Sequence, residues 1–216
     1  MHTLIICNGF PPSRLLLKQE VQQADLIIGA DGGGNILLDH KVKPDVVIGD
    51  LDSFQKPDKV NFEVIRDTDQ ESNDLEKALT YALNKDTTSC TVLGAFGKRM
   101  DHSLKNLSVM KQFNSRLNPL VYKDEYQKAF LVQDYFESQL PAGTIISLFP
   151  LSGVVEGITT TGLKFPLNNE SLINGRRDGT SNENIQPAFS IEVTSGDLVV
   201  FIELRPVEQR TSDIES

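Results

Sequence analysis

Apolar residues are concentrated in short runs: TLIIC (3–7), LIIGA (26–30), VVIG (46–49), FEVI (62–65), CTVLGA (90–95) and LVY (120–122). Unbroken apolar character over such lengths predicts strands covered on both faces, as in a parallel sheet. Between the runs the pattern turns helical. From Asp74 onward, Leu75, Ala78, Leu79, Ala82 and Leu83 follow the i, i+3, i+4, i+7, i+8 spacing of one buried face, and a second helix is predicted over about 101–113 with Leu104, Leu107 and Met110 on its apolar side. This alternation predicts an α/β unit with a mainly parallel sheet and flanking helices. After about residue 138 the helical period fades, and TIISLFP (144–150), GVVEGITT (153–160), FSIEVTS (189–195) and DLVVFIEL (197–204) alternate with Gly, Pro, Asn and Ser clusters. That pattern predicts a smaller all-β sandwich, giving an expected division into 1–138 and 139–216. The pairing of KAFLV (128–132) and YFES (135–138) stays open, and PVEQRTSDIES (206–216) reads as a polar tail.

Charge narrows the function. Thirty acids against 21 Lys and Arg leave a net charge of −9, which argues against broad phosphate neutralisation on nucleic acid and against anionic membrane surfaces. Cys7 and Cys90 lie within apolar runs, so they are expected as buried thiols in a reducing, cytoplasmic setting. The opening MHTLIICNGFPP lacks the basic region of a secretory signal, and no apolar stretch reaches the ~18 residues of a membrane span.

Four segments carry candidate chemistry. In IIGADGGG (27–34), Asp31 ends a strand and Gly32, Gly33 and Gly34 follow, a place where backbone can approach a phosphate; a strand-to-helix turn with Asp31 as a cap reads equally well. PDVVIGDLDS (44–53) sets Asp50 and Asp52 at a strand end, where paired carboxylates call for a cation such as Mg²⁺, with an Asx turn as the plainer alternative. Asp74 opens the amphipathic helix, a position the helix dipole favours by itself. GKRMDHSLKNL (97–107) brings Lys98, Arg99, Asp101 and His102 to a strand–helix junction; Lys98 and Arg99 suit phosphate oxygens, Asp101 suits an N-cap and His102 a surface position.

In this order, ADGG, PDxxIGDxDS, the acidic xDxxKAL helix start and GxRxDHxLxNL resemble the thiamine pyrophosphokinases, and SLFPLSG, GITTTGLKFPL and GTSNE are similar to that family's C-terminal segments. The resemblance implies a nucleotide-binding α/β domain, a β-sandwich for thiamine binding and dimerisation, and a homodimer with active sites between subunits. It also implies a reaction, in which the thiamine hydroxyl attacks the β-phosphorus of ATP to give thiamine diphosphate and AMP. By the same resemblance Asp31, Asp50, Asp52 and Asp74 match metal positions, and Gln70, Arg99 and Asp101 match nucleotide and phosphate positions. Phe165, Ser181 and Asn182 match positions near thiamine. One of Asp50, Asp52 or Asp74 is left to take the thiamine proton, with Arg99 stabilising charge on the transferred oxygens.

Two departures stand out: Asn73 precedes Asp74 where many relatives place Thr or Ser, and the chain has no Trp, so stacking on thiamine falls to Phe165. A related diphosphokinase with another acceptor alcohol, and a non-catalytic nucleotide- or thiamine-binding protein, remain as alternatives. Between Asp25 and Glu76 there are 13 acids and five bases, an acidity suited to a metal-bridged nucleotide and a cationic acceptor.

Overall fold

A computed structural model describes residues 1–204, so the expected polar tail at 206–216 lies outside the described residues. The chain divides into two units, Met1–Glu125 and Tyr126–Ser216.

In the first unit, β1 (His2–Ile6), β2 (Leu26–Ala30), β3 (Val46–Gly49), β4 (Glu63–Arg66), β5 (Ser89–Leu93) and β6 (Leu120–Lys123) correspond to the six apolar runs. All their pairings are parallel, in the order β6-β5-β1-β2-β3-β4. The chain builds outward from β1 to β4 and then returns to β1's other side. The order therefore reverses between β1 and β5, where a crevice opens at the strands' carboxyl ends. Helices α1 (Arg14–Val21) and α2 (Gly33–Asp39) cover Leu4, Ile6 and Leu93 with Leu16, Leu17, Ile36 and Leu37.

Helix α3 (Asp74–Leu83) buries Leu75, Ala78, Leu79 and Ala82, as its periodicity predicts. It starts sharply. The Asn73 side chain accepts the Glu76 N–H at 3.0 Å while the Glu76 carboxylate accepts the Asn73 N–H at 3.1 Å, a capping box. Helix α4 (Met100–Asn114) corrects the expected face: Leu104 is 59% exposed, and the buried side is Ser103, Asn106, Val109, Met110 and Phe113. Its polar members face inward because they satisfy backbone. The Asn106 amide donates to the Ala95 carbonyl (2.6 Å), Ser103 Oγ accepts the Gly97 N–H (3.2 Å), and the Tyr122 hydroxyl donates to the Asn106 carbonyl (3.0 Å).

The second unit begins earlier than expected. β7 (Gln127–Val132) pairs antiparallel with β14 (Leu198–Glu203), and β8 (Tyr135–Gln139) with β13 (Ala188–Glu192), so both strands left open belong to the all-β unit and the boundary falls after Glu125 instead of 138. With β9 (Ile145–Pro150), β10 (Val154–Thr161), β11 (Glu170–Ile173) and β12 (Gly179–Glu183) they form antiparallel layers ordered β12-β9-β14-β7 and β11-β10-β13-β8. Ile146, Leu148, Val200 and Ile202 from one layer meet Val155, Ile158, Leu172 and Ile191 from the other, the core of a sandwich.

Candidate active site

The carboxyl ends of β1, β2, β3 and β5 surround a cavity of 410 Å³ whose lining includes Asn8, Asp31, Asp50, Asp74, Lys98 and Arg99. Each acid is aimed by a local backbone device. Asp31, at φ 44°, occupies the left-handed region that Asp tolerates. The N-cap position of α2 is Gly32, one residue after Asp31. The Asp31 carboxylate accepts the N–H groups of Ser53 (3.2 Å) and Phe54 (3.1 Å), tying β2's end to the loop after β3. Asp50 Oδ1 accepts the Asp52 N–H at 3.1 Å, so the Asx turn exists and orients the acid it was set against as an alternative. Asp74 arrives as the first residue of α3, placed by the cap at Asn73.

One oxygen from each of Asp31, Asp50 and Asp74 lies within 4.8 Å of the other two. Desolvation, then the charges of Asp31 and Asp50, push the Asp74 carboxyl up to about 6. Burial is also the main reason the Asp31 carboxyl is raised, with Asp52 and Asp50 adding to it. Three hard-oxygen donors held together against their repulsion form a set suited to a divalent cation such as Mg²⁺.

The other expected residues fall in different places. Asp52 lines the cavity and its carboxylate accepts the Ser53 hydroxyl at 2.9 Å, but it is not one of the three clustered acids. Lys98 (φ 55°) donates to Asn8 Oδ1 at 3.1 Å, and Arg99 is forked onto Asp101, a pair both of whose members are exposed. Asp101 thus orients Arg99, and its carboxyl is lowered chiefly by that hydrogen bond. Gln70 is exposed and donates to the Thr68 carbonyl (3.2 Å), apart from the lining residues.

Gly32 and Gly33 are absent from the lining, and their lack of a side chain has a packing reason of its own. A Cβ on Gly33 would stand 1.8 Å from the Ile6 carbonyl oxygen, and one on Gly32 2.4 Å from the Asn8 amide, so these glycines allow α2 to close against β1 and its loop. Asn8, Ala95 and Asn106 line the cavity although sequence reasoning missed them, and Asn73 and the exposed His102, expected at the surface, line it as well. For Asn8 a signal existed in the strand-ending CNG, which precedes the crevice strand's loop as ADG does for β2.

In the second unit Phe165 is 63% exposed beside a 270 Å³ depression shared with Leu148, Arg177, Asp178 and Asn182. Asn182 is 4% exposed. Its Oδ1 accepts the N–H groups of Phe165 (3.0 Å) and Glu183 (2.9 Å), and its Nδ2 donates to the Phe165 carbonyl (2.8 Å). Its amide is therefore spent on presenting Phe165. Ser181, at φ 59°, is exposed, with its N–H given to Ser147 Oγ (3.0 Å).

Fold and site together define a class: a parallel α/β unit that gathers carboxylates and basic side chains at its switch point, joined in sequence to an antiparallel sandwich. Comparison with known proteins gives the particular family. Residues 17–122 match the thiamin pyrophosphokinase catalytic domain and residues 135–198 the thiamin pyrophosphokinase vitamin B1 binding domain. The chain is 28% identical over 210 residues to thiamine pyrophosphokinase of Bacillus subtilis, covering 93% of this chain and 98% of that one. It is 30% identical over 223 residues to thiamine pyrophosphokinase 2 of Oryza sativa subsp. japonica, covering 84% and 79%. The fold is shared with crystal structures of the B. subtilis protein (TM-score 0.81, 24% identity, 94% and 99% covered) and of thiamin pyrophosphokinase from Candida albicans (0.84, 18%, 94% and 89%). The chain belongs to the thiamine pyrophosphokinase family.

Proposed function

We propose that this family member transfers the diphosphate of ATP to the hydroxyl of thiamine, giving thiamine diphosphate and AMP. The observation that carries this is the convergence of Asp31, Asp50 and Asp74 in one cavity with Lys98 and Arg99. Transfer of a phosphoryl-type group depends on positioning and on neutralising charge over the transferred oxygens. The three acids are the residues that would hold Mg²⁺. When bound, the ion would supply positive charge toward the transferred group.

The chain's own side chains divide the remaining work. Lys98 offers a point charge to phosphate oxygens, and Arg99 a planar fork. Because the Arg99–Asp101 pair is exposed, a phosphate can take the guanidinium over without stranding a buried charge. Asp52 lines the cavity outside the cluster, and it is the carboxylate free to accept the thiamine proton in this reading. In the second unit Phe165 offers an exposed ring face for the thiamine heterocycle, with Asn182 fixing its backbone.

The test is product identity. With Mg²⁺, ATP and thiamine, AMP and thiamine diphosphate should form in equal amounts; ADP with thiamine monophosphate would overturn the mechanism. We also propose a homodimer, to be checked by sedimentation, and a cytoplasmic setting, which the buried free thiols of Cys7 and Cys90 support. No helix among the described residues is long and apolar enough to cross a membrane.

A further inference from the structure

A chain of side-chain amides runs along the cavity wall, and its polarity is fixed link by link. The Ala95 carbonyl can only accept, so Asn106 turns Nδ2 toward it (2.6 Å). That leaves Asn106 Oδ1 to accept Asn73 Nδ2 (3.0 Å), and Asn73 Oδ1 to accept the Glu76 N–H (3.0 Å) that caps α3. Both ends lead to chemistry. Asn73 directly precedes Asp74 of the carboxylate cluster, and Ala95 lies in the loop after β5 that carries Lys98 and Arg99. Asn106 is 7% exposed, so its bonds are sheltered from water, and its own carbonyl is held by the Tyr122 hydroxyl at 3.0 Å.

We infer that Asn73 and Asn106 are positioning residues that lock the acidic start of α3 to the basic loop after β5, setting the separation between the carboxylate side and the phosphate side of the site. Only a primary amide at each position fits the sequence of acceptor, donor, acceptor, donor. An Asp at 73 keeps the cap but has no donor for Asn106. A Ser at 73 keeps the cap, since Ser and Asn are comparable N-caps, but its single oxygen sits closer to the backbone and cannot reach in both directions as two amide atoms do. A second tie between α3 and α4, the Lys105–Glu76 ion pair at 2.7 Å, has a partly exposed lysine and does not touch the loop. It therefore provides an internal control for general loosening of the two helices.

The kinetic arm rests on the diphosphate-transfer reading; the exchange arm does not. Amide hydrogen exchange of the metal-free full chain should quicken at least about tenfold in 95–99 for N73S, while 74–83 stays protected because the cap survives. K105A should leave 95–99 unchanged. With Mg²⁺, ATP and thiamine, N73S should lower kcat about 10- to 100-fold with KM for thiamine within about twofold, the signature of misplaced reacting groups rather than lost binding. In a double-mutant cycle N73S/N106L should be no slower than N106L, because either change breaks the same chain. Unchanged exchange at 95–99 in N73S, equal opening in K105A, or multiplying kcat losses would each overturn the inference. If the unaltered protein forms no AMP, the proposed function fails, and the exchange comparison still decides the amide chain.

Discussion

The two units present their candidate ligand-binding groups at opposite kinds of cost. The first crowds charge: Asp31, Asp50 and Asp74 lie within 4.8 Å, and the Asp74 carboxyl is pushed up to about 6 by desolvation and by its neighbours. The second exposes apolar surface, with Phe165 63% exposed on a loop whose backbone is clamped by a buried amide. One liability is relieved by a cation and the other by a flat apolar surface. The units therefore differ in what they ask of solvent, salt and ligand, and substitutions can separate them.

The largest effect is expected from Asp50→Asn, which should lower kcat/KM for diphosphate transfer at least about 10³-fold, roughly 4 kcal/mol of transition-state stabilisation. The fold should survive; far-UV circular dichroism with AMP release would check both, and retained turnover would remove the cluster from the chemistry.

Next, Asn182→Ala strips three hydrogen bonds from the Phe165 and Glu183 backbone and should lower unfolding stability by about 2–3 kcal/mol in urea titration. Phe165→Ala follows, expected to raise KM for thiamine about tenfold, near 1.4 kcal/mol, with KM for ATP unchanged. A shift in the ATP response alone would undo the division of labour between the units.

The smallest change has the opposite sign. Asp74→Asn should stabilise the metal-free chain by about 1 kcal/mol at pH 8, raising Tm by roughly 2–4 °C, a figure reduced because the carboxyl keeps part of its exposure to water. The folded carboxyl is raised to about 6 from an ordinary value of 3.8, so its penalty exists above pH 6 and fades as pH falls through that value; at pH 5 the gain should shrink. A comparable gain from Phe165→Ala across all pH would erase the contrast between charge and exposure.

Sequence pattern exposed much of this and missed identifiable parts. The six parallel strands were legible because a strand covered on both faces must be apolar throughout, as LIIGA and VVIG are. Asp31, Asp50 and Asp74 were legible because each stands at the start of a turn or helix directly after such a run or at the head of an amphipathic period. The true face of α4 was hidden because Ser103 and Asn106 are polar residues buried to serve backbone groups, a need visible only once β5 and its loop are in place. The boundary at Glu125 was hidden because β7 and β8 find partners in β14 and β13, more than 45 residues away, and nothing local marks such pairing. β11 and β12 were hidden by short, polar sequences such as GTSNE. The glycines after Asp31 suggest phosphate approach, and the closure of α2 against the Ile6 carbonyl, which also requires Gly33, was not legible locally.

The crevice itself has a joint with consequences for building hybrid enzymes. Gly9 donates its N–H to the Gly94 carbonyl at 2.9 Å, Phe10 donates to the Phe96 carbonyl at 2.9 Å, and a Cβ on Gly9 would lie 2.3 Å from both acceptor oxygens. Segments 7–10 and 94–97 are thus moulded to each other although more than 80 residues separate them. A chimera that imports one segment from a homologue while keeping the other would inherit half of a matched pair. Successful grafts should have to carry both together, and natural variation at one should be answered by variation at the other.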